Sequence, residues 1–259
     1  MLLIPEPTLF RLDGRCALVT GAARGIGRAI AVALAEAGAN LALVDSTPLQ
    51  DTLEAMLPYG ARCLPVPRDL SQPTQESCAE IIHTALNAFQ RVDILVNCAG
   101  IIRRSPAVDL SEADWHDVLA VDLTAVFYLS QALGRHWLAE KQRGKILNVA
   151  SMLSFQGGLN VASYTAAKSG IAGITRALAN EWARYGINVN AIAPGYIATE
   201  VTAGLRADPE RNRQVLERIP AGRWGDPDDV KGAAVFLCAP ASDYVHGVIL
   251  PVDGGWLAR

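Results

Sequence analysis

Residues 16–27 read CALVTGAARGIG, and this stretch decides the fold. Cys16–Thr20 is a run of apolar, strand-forming residues. It passes directly into Gly21-Ala22-Ala23-Arg24-Gly25-Ile26-Gly27. Residues 25–37 then carry apolar side chains at helical spacing until Gly38 stops them as a C-cap does. A strand, a glycine-rich turn and a helix, in that order, make a cradle for a pyrophosphate. The glycines let the backbone come close, and the helix start presents free N–H groups and its positive dipole end. The spacing is G-x-x-x-G-x-G rather than G-x-G-x-x-G. The expectation is a dinucleotide held by Gly21, Arg24, Gly25, Ile26 and Gly27.

Working outward, the same alternation continues along the chain. Strands are predicted at 41–45, 62–67, 93–97, 145–149, 187–192 and 248–252. Helices are predicted at 74–89, 111–138, 163–185 and 226–237, with Ser111 as an N-cap and Gly186 as a stop. Pro65 and Pro67 make the end of the third strand irregular. Near-continuous apolar strands separated by helices imply a parallel sheet covered on both faces. The fold class is therefore α/β: one Rossmann-type, doubly wound parallel sheet with helices on both faces, a single domain over 1–259. Its ligand crevice lies at the C-terminal ends of the strands. The stretch 199–219 reads as an irregular, charged insert and a candidate lid.

Composition removes several alternatives. A net charge of −3 gives no electrostatic reason for a nucleic-acid partner. The five cysteines (Cys16, Cys63, Cys78, Cys98, Cys238) are odd in number and unpaired in spacing. They read as reduced thiols of a cytoplasmic protein. The four histidines lack metal-ligand spacing, so no metal is expected. The N-terminal MLLIPEPTLF has no basic start and is broken by Pro5 and Pro7, unlike a signal peptide. The longest uncharged stretch, 146–167, is too polar for a membrane span. It suits an active site, and a small-molecule substrate is the partner to expect.

The chemistry-bearing residues fall at strand ends or on the following helix. Asp45 ends strand two, where a carboxylate accepts from ribose hydroxyls and repels a 2′-phosphate; this predicts NAD over NADP. Arg24 argues the other way, because a guanidinium there can pair with a phosphate. Asp69 and Leu70 follow strand three, at the adenine end. Asn97, Ala99 and Gly100 follow strand four, where a ribose must pass close. Ser151 follows strand five, and Tyr164 and Lys168 sit one helical turn apart on one face. Interconverting an alcohol and a ketone moves a proton as well as a hydride. A free phenol, with a pKa of ~10, is a poor base at neutral pH, and a fixed ammonium beside it favours the phenolate. Ser151 is placed to orient the substrate oxygen.

Together the glycine turn, Asn97-x-Ala99-Gly100, Ser151, Tyr164-x-x-x-Lys168 and Pro194-Gly195 resemble the short-chain dehydrogenase/reductase family over essentially the whole chain. The resemblance implies that Pro194 and Gly195 lie against the nicotinamide and that Ile197 and Thr199 contact its carboxamide. It also implies a homotetramer joined through the long fourth and fifth helices. Two positions depart from the family pattern. Cys98 replaces an Asn, and Asp122 replaces the Asn that holds a water linking the catalytic Lys to solvent. An Asp can still accept from that water, while its charge near Lys168 can also blunt the lysine's effect on Tyr164. Asp122 is expected to keep that relay, so Asp122→Asn should retain or raise activity.

Residues 101–104, 150–158, 180–183, 218–225 and 253–259 further resemble family members that act on sugar acids. This implies a six-carbon sugar-acid substrate, with Arg103 or Arg104 pairing with its carboxylate and Gln156 binding a hydroxyl. Another polyol dehydrogenase, a reductase of carrier-bound 3-oxoacyl groups and a non-catalytic NAD sensor are the other readings.

Overall fold

The computed structural model describes residues 9–259. The segment weighed as a signal peptide therefore falls largely outside the described residues. Seven strands form one sheet: β1 (Cys16–Thr20), β2 (Asn40–Asp45), β3 (Cys63–Pro67), β4 (Ile94–Asn97), β5 (Gly144–Val149), β6 (Ile187–Pro194) and β7 (Ile249–Val252). Their order is β3-β2-β1-β4-β5-β6-β7, and every pairing is parallel. The strand order reverses between β1 and β4, so the crevice opens there, as in doubly wound sheets generally. β3 tolerates Pro65 and Pro67 because it is the edge strand and one of its sides has no ladder to complete.

Alternation along each strand divides the core into two layers. Ala17 and Val19 of β1 face α1 (Gly25–Glu36) and α9 (Lys231–Cys238), packing with Ile30, Leu34 and Leu237. Cys16 and Leu18 face the other way. They pack with Ile81 and Ile82 of α3 (Gln75–Phe89), Leu129 and Leu133 of α5 (Ala125–Ala139), and Leu178 of α6 (Ala162–Trp182). Each fully buried side chain of this size contributes about 1.5–3 kcal/mol through removal of apolar surface from water.

The structure differs from the sequence expectation in three places. A short helix, α2 (Gln50–Met56), lies where no pattern was read. The run expected as one helix is α4 (Glu112–Leu119), a π-helical turn (Ala120–Thr124) and then α5. The Ser111 hydroxyl does cap its start, accepting from Asp114 N at 3.0 Å. The charged insert is mostly helical: α7 (Ala203–Ala207) and α8 (Pro209–Arg218). α8 presents nine of its ten side chains to the surroundings, only Val215 being buried, so its apolar stripe was too thin to read.

Residues 112–139 are the one helical run among the described residues long and apolar enough to cross a membrane, and half of its apolar window is buried within the fold.

Candidate active site

Along the C-terminal ends of the strands runs a cleft of about 700 Å³. One end is built by the turn after β1. Gly21 and Gly25 both take left-handed φ, at +67° and +54°. Gly27 is required for a different reason: a Cβ there would lie 2.0 Å from the Gly21 carbonyl oxygen. Arg24, the N-cap of α1, makes no side-chain cap, so the first N–H groups of the helix are not satisfied by that residue's side chain. A narrow cradle with open donors at a helix start fits a dinucleotide pyrophosphate.

Thr20 holds the opposite wall. Its Oγ1 accepts from Cys98 N and Ala99 N, both at 3.1 Å, which draws the residues after β4 against the turn after β1. Cys98, Ala99 and Gly100 line the cleft. Asn97 does not. It is buried beneath them, with Nδ2 donating to Asn148 Oδ1 at 2.9 Å and to Ser130 Oγ at 3.2 Å. Asn148 Nδ2 donates in turn to Thr175 on α6. Asn97 thus fastens β4 to β5 and the helices behind.

Beside the turn after β1, Asp45, Asp69 and Leu70 line the cleft as expected. Ser46, Thr47 and Arg68 stand with them and were missed, although residues following β2 and β3 were the places to look. Both Asp45 oxygens are engaged by protein donors. Oδ2 accepts from Ala23 N at 2.9 Å, and Oδ1 from Thr47 N at 2.9 Å and Thr47 Oγ1 at 2.8 Å. Arg24 Nη1 pairs with Glu200 at 2.6 Å, across the cleft mouth.

The catalytic residues converge at the middle. The turn after β5 (Met152–Ser154) is bound to α6: Ser154 Oγ donates to the Lys168 carbonyl at 2.6 Å. That bond sets Ser151 against the face of α6 carrying Tyr164 and Lys168. All three line the cleft. Lys168 is buried. Its Nζ lies 3.0 Å from Val149 O, 3.2 Å from Asp122 Oδ2 and 5.4 Å from the centre of the Tyr164 ring. Asp122 Oδ1 accepts from Ile101 N at 2.7 Å.

The electrostatics differ from the simple expectation for Tyr164. Burial pushes its phenol above the usual value. The Lys168 ammonium and the Ser151 hydroxyl pull it down, Asp122 pushes it up, and the net direction is up. Burial alone would lower Lys168, but Asp122 and the phenol more than offset this and its ammonium is held. Burial pushes the Asp122 carboxyl up against the pull of Lys168 and the Ile101 amide.

Pro194, which ends β6, and Gly195, Ile197 and Thr199 beyond it line the cleft. Gly195 has no room for a side chain, since its Cβ would sit 2.7 Å from the Asp253 Cα. The expected substrate residues are less uniform. Arg103 lines the cleft but pairs with Asp114 at 3.2 Å and Asp117 at 3.7 Å. Arg104 donates to Val201 O at 3.4 Å, and Gln156 accepts from Arg218 at 3.4 Å; neither is on the cleft wall. Trp224 and Trp256, from the segments that carry the sugar-acid resemblance, and Tyr196, which was missed from sequence, pack with Tyr164 in one apolar cluster.

A single parallel sheet, a glycine cradle and a Ser-Tyr-Lys constellation at one cleft define a nucleotide-dependent oxidoreductase fold. Residues 21–257 match the family described as enoyl-(acyl carrier protein) reductase, and the chain belongs to the short-chain dehydrogenase/reductase family. The 2-dehydro-3-deoxy-D-gluconate 5-dehydrogenase of Dickeya dadantii (strain 3937) is 51% identical to it over 250 residues, 96% of this chain and 98% of that one. An Agrobacterium tumefaciens chain with bound NADP, provisionally described as a 2-deoxy-D-gluconate 3-dehydrogenase, is 52% identical. It superposes with a TM-score of 0.91 over 97% of this chain and 100% of that one. A Beutenbergia cavernae chain, provisionally described as an NAD(P)-dependent gluconate 5-dehydrogenase, holds NADP at low occupancy. It is 49% identical, with a TM-score of 0.92 over 97% and 100% of the two chains.

Bound NADP in both of these structures overturns the expectation of NAD drawn from Asp45. The geometry supplies a physical reason. Both oxygens of this carboxylate already accept from the chain, one from Ala23 in the turn after β1 and the other from Thr47, and Arg24 and Arg68 line the same cleft.

Proposed function

We propose that this protein is an NADP-dependent oxidoreductase interconverting a secondary alcohol and a ketone on a six-carbon sugar acid, with 2-dehydro-3-deoxy-D-gluconate the foremost substrate. The observation that carries this reading is the meeting of Ser151, Tyr164 and Lys168 at one cleft, in a chain 51% identical to a dehydrogenase of that substrate.

The turn at Gly21–Gly27 and the start of α1 would hold the pyrophosphate, Arg24 and Arg68 the 2′-phosphate, and Pro194, Gly195, Ile197 and Thr199 the nicotinamide end. When bound, the cofactor accepts or delivers the hydride. The residues of the chain handle the proton. Ser151 donates a hydrogen bond to the reacting oxygen. Tyr164 Oη takes the proton from the carbinol as the C–H bond breaks, and returns it to the ketone oxygen in the reverse direction. Lys168 supports the phenolate by its charge and has one N–H beyond Val149 and Asp122 with which to reach a ribose hydroxyl. Tyr196, Trp224 and Trp256 belong to the apolar cluster that backs Tyr164, and that burial strengthens these interactions.

The enzyme acts in the cytoplasm as a homotetramer. All five cysteines are free thiols, as reducing conditions require. Leu119, Leu123 and Phe127 stand partly uncovered along the α4–α5 run and suit a helix-to-helix contact between subunits.

NADPH absorbance followed with 2-keto-3-deoxygluconate, 2-deoxygluconate, gluconate and an acetoacetyl thioester tests the reading. Turnover is expected with the deoxy sugar acids and not with the thioester. Tyr164→Phe is expected to lower kcat by about 10²–10⁴-fold while NADP still binds, the range for loss of a general acid–base group. Turnover restricted to the thioester, or an undiminished Tyr164→Phe, would sink it.

A further inference from the structure

Asp122 is buried, with no exposed surface, on the π-helical turn between α4 and α5. The turn faces both Val121 and Asp122 inward. One carboxylate then joins two separate parts of the site. Oδ1 takes the Ile101 N–H, in the segment after β4, at 2.7 Å, and Oδ2 lies 3.2 Å from Lys168 Nζ on α6. The fit leaves no slack, because a Cβ on Gly100 would lie 2.8 Å from Asp122 Oδ2. Lys168 has three ammonium protons. Asp122 and the Val149 carbonyl face two of them, leaving one for the cleft.

The titratable surroundings of this pair are few. α6 contributes Lys168 and Tyr164, the segment after β4 contributes Cys98, and β5 contributes only the Val149 carbonyl. Burial pushes the Cys98 thiol up to about 12, so it stays neutral. Asp45, Asp117 and Arg103 lie along the same cleft, each engaged by neighbouring groups of the chain. Among the described residues, Asp122 is therefore the one anion in ion-pair contact with the catalytic ammonium.

We propose that Asp122 is a positioning residue: it fastens Lys168 and the Ile101 segment in one ion-paired clamp and draws the ammonium's charge away from Tyr164, confining proton abstraction to a more alkaline range. This rests on the assignment of Tyr164 as the acid–base group, but on no particular substrate. The sign follows from the charges. An anion beside the Lys–Tyr pair favours the ammonium and disfavours the phenolate. Replacing the anion by a neutral acceptor relieves the second effect and shifts phenol ionisation to lower pH.

The test is the tyrosinate absorbance of the whole protein against pH, with the Tyr164→Phe titration subtracted, in the parent and in Asp122→Asn. The Tyr164 transition is expected to move down by about one pH unit, the lower end of what one nearby charge produces. The acid limb of kcat/KM for sugar-acid oxidation is expected to move with it. If Asp122→Asn does not fold, the uncharged Asp122→Ser must show the same displacement. A transition that stays in place or moves up in the folded variant overturns the proposal. A downward move without turnover of any sugar acid supports it and removes only the substrate assignment.

Discussion

At the residue scale the site is governed by what has no side chain as much as by what has one. Gly27 sits where a Cβ would lie inside the contact distance of the Gly21 carbonyl, and that carbonyl belongs to the cradle itself. Gly27→Ala is therefore expected to abolish NADP binding, read as loss of NADPH fluorescence enhancement, while the folded core persists. Retained binding would mean that the turn is not the pyrophosphate cradle. Tyr164 shows the reverse case, in which a side chain of evident chemistry is retuned by neighbours. The spacing Tyr164-x-x-x-Lys168 revealed a phenol and an ammonium on one helical face. Burial and the charge of Asp122 were legible as influences opposing Lys168; that together they outweigh it and hold the phenol up was not. Arg103 is similar: a basic residue near the cleft mouth was legible, and its pairing with Asp114 and Asp117 was not, because those acids come from the following helix.

At the scale of elements, the segment after β6 stands apart. Residues 197–206 line the cleft mouth; Ile197 and Ala198 are anchored at Gly225, and beyond them the ties are exposed ones, Arg24 to Glu200 and Arg104 to Val201 O. α7 buries no residue and α8 buries only Val215. Exposed ion pairs are worth about 0–1 kcal/mol, so little holds this flap besides its neighbours. Amide hydrogen exchange is expected to be fast over 200–218 in the free protein and to slow when NADP and a sugar acid bind, while β1, β4 and β5 stay protected throughout. Equal protection of flap and sheet in the free protein would exclude a closing motion. The π-helical turn at Ala120–Thr124 is the other element of consequence. Its sequence, AVDLT, fits an ordinary helix, and the extra residue in the turn follows from the packing of its inward residues against α6 and the segment after β4.

At the scale of the whole molecule, a single parallel sheet holds the site in its switch-point crevice and buries most of the cysteines. Burial pushes Cys16 and Cys238 up to about 12 and Cys78 up to about 11. These three are expected to resist alkylation at neutral pH until the protein unfolds, with Cys63 the first to react; mass spectrometry after iodoacetamide treatment checks this. Rapid modification of Cys16 or Cys238 in the folded state would contradict the burial of β1 and α9. The order of strands and helices, the cradle at Gly21–Gly27 and the Ser151, Tyr164 and Lys168 set were all readable along the chain. They depend on local quantities: hydrophobic period, glycine placement and spacing within one helix or strand end. NADP in place of NAD came from the ligand bound in two similar chains. The occupation of Asp45 and Arg24 by partners within the chain, the packing of Tyr196, Trp224 and Trp256 with Tyr164, and the direct contact of Asp122 with Lys168 were decided only by the tertiary structure. Each depends on which distant segments share the last few ångströms, and charge, burial and donor satisfaction act over that distance and no further.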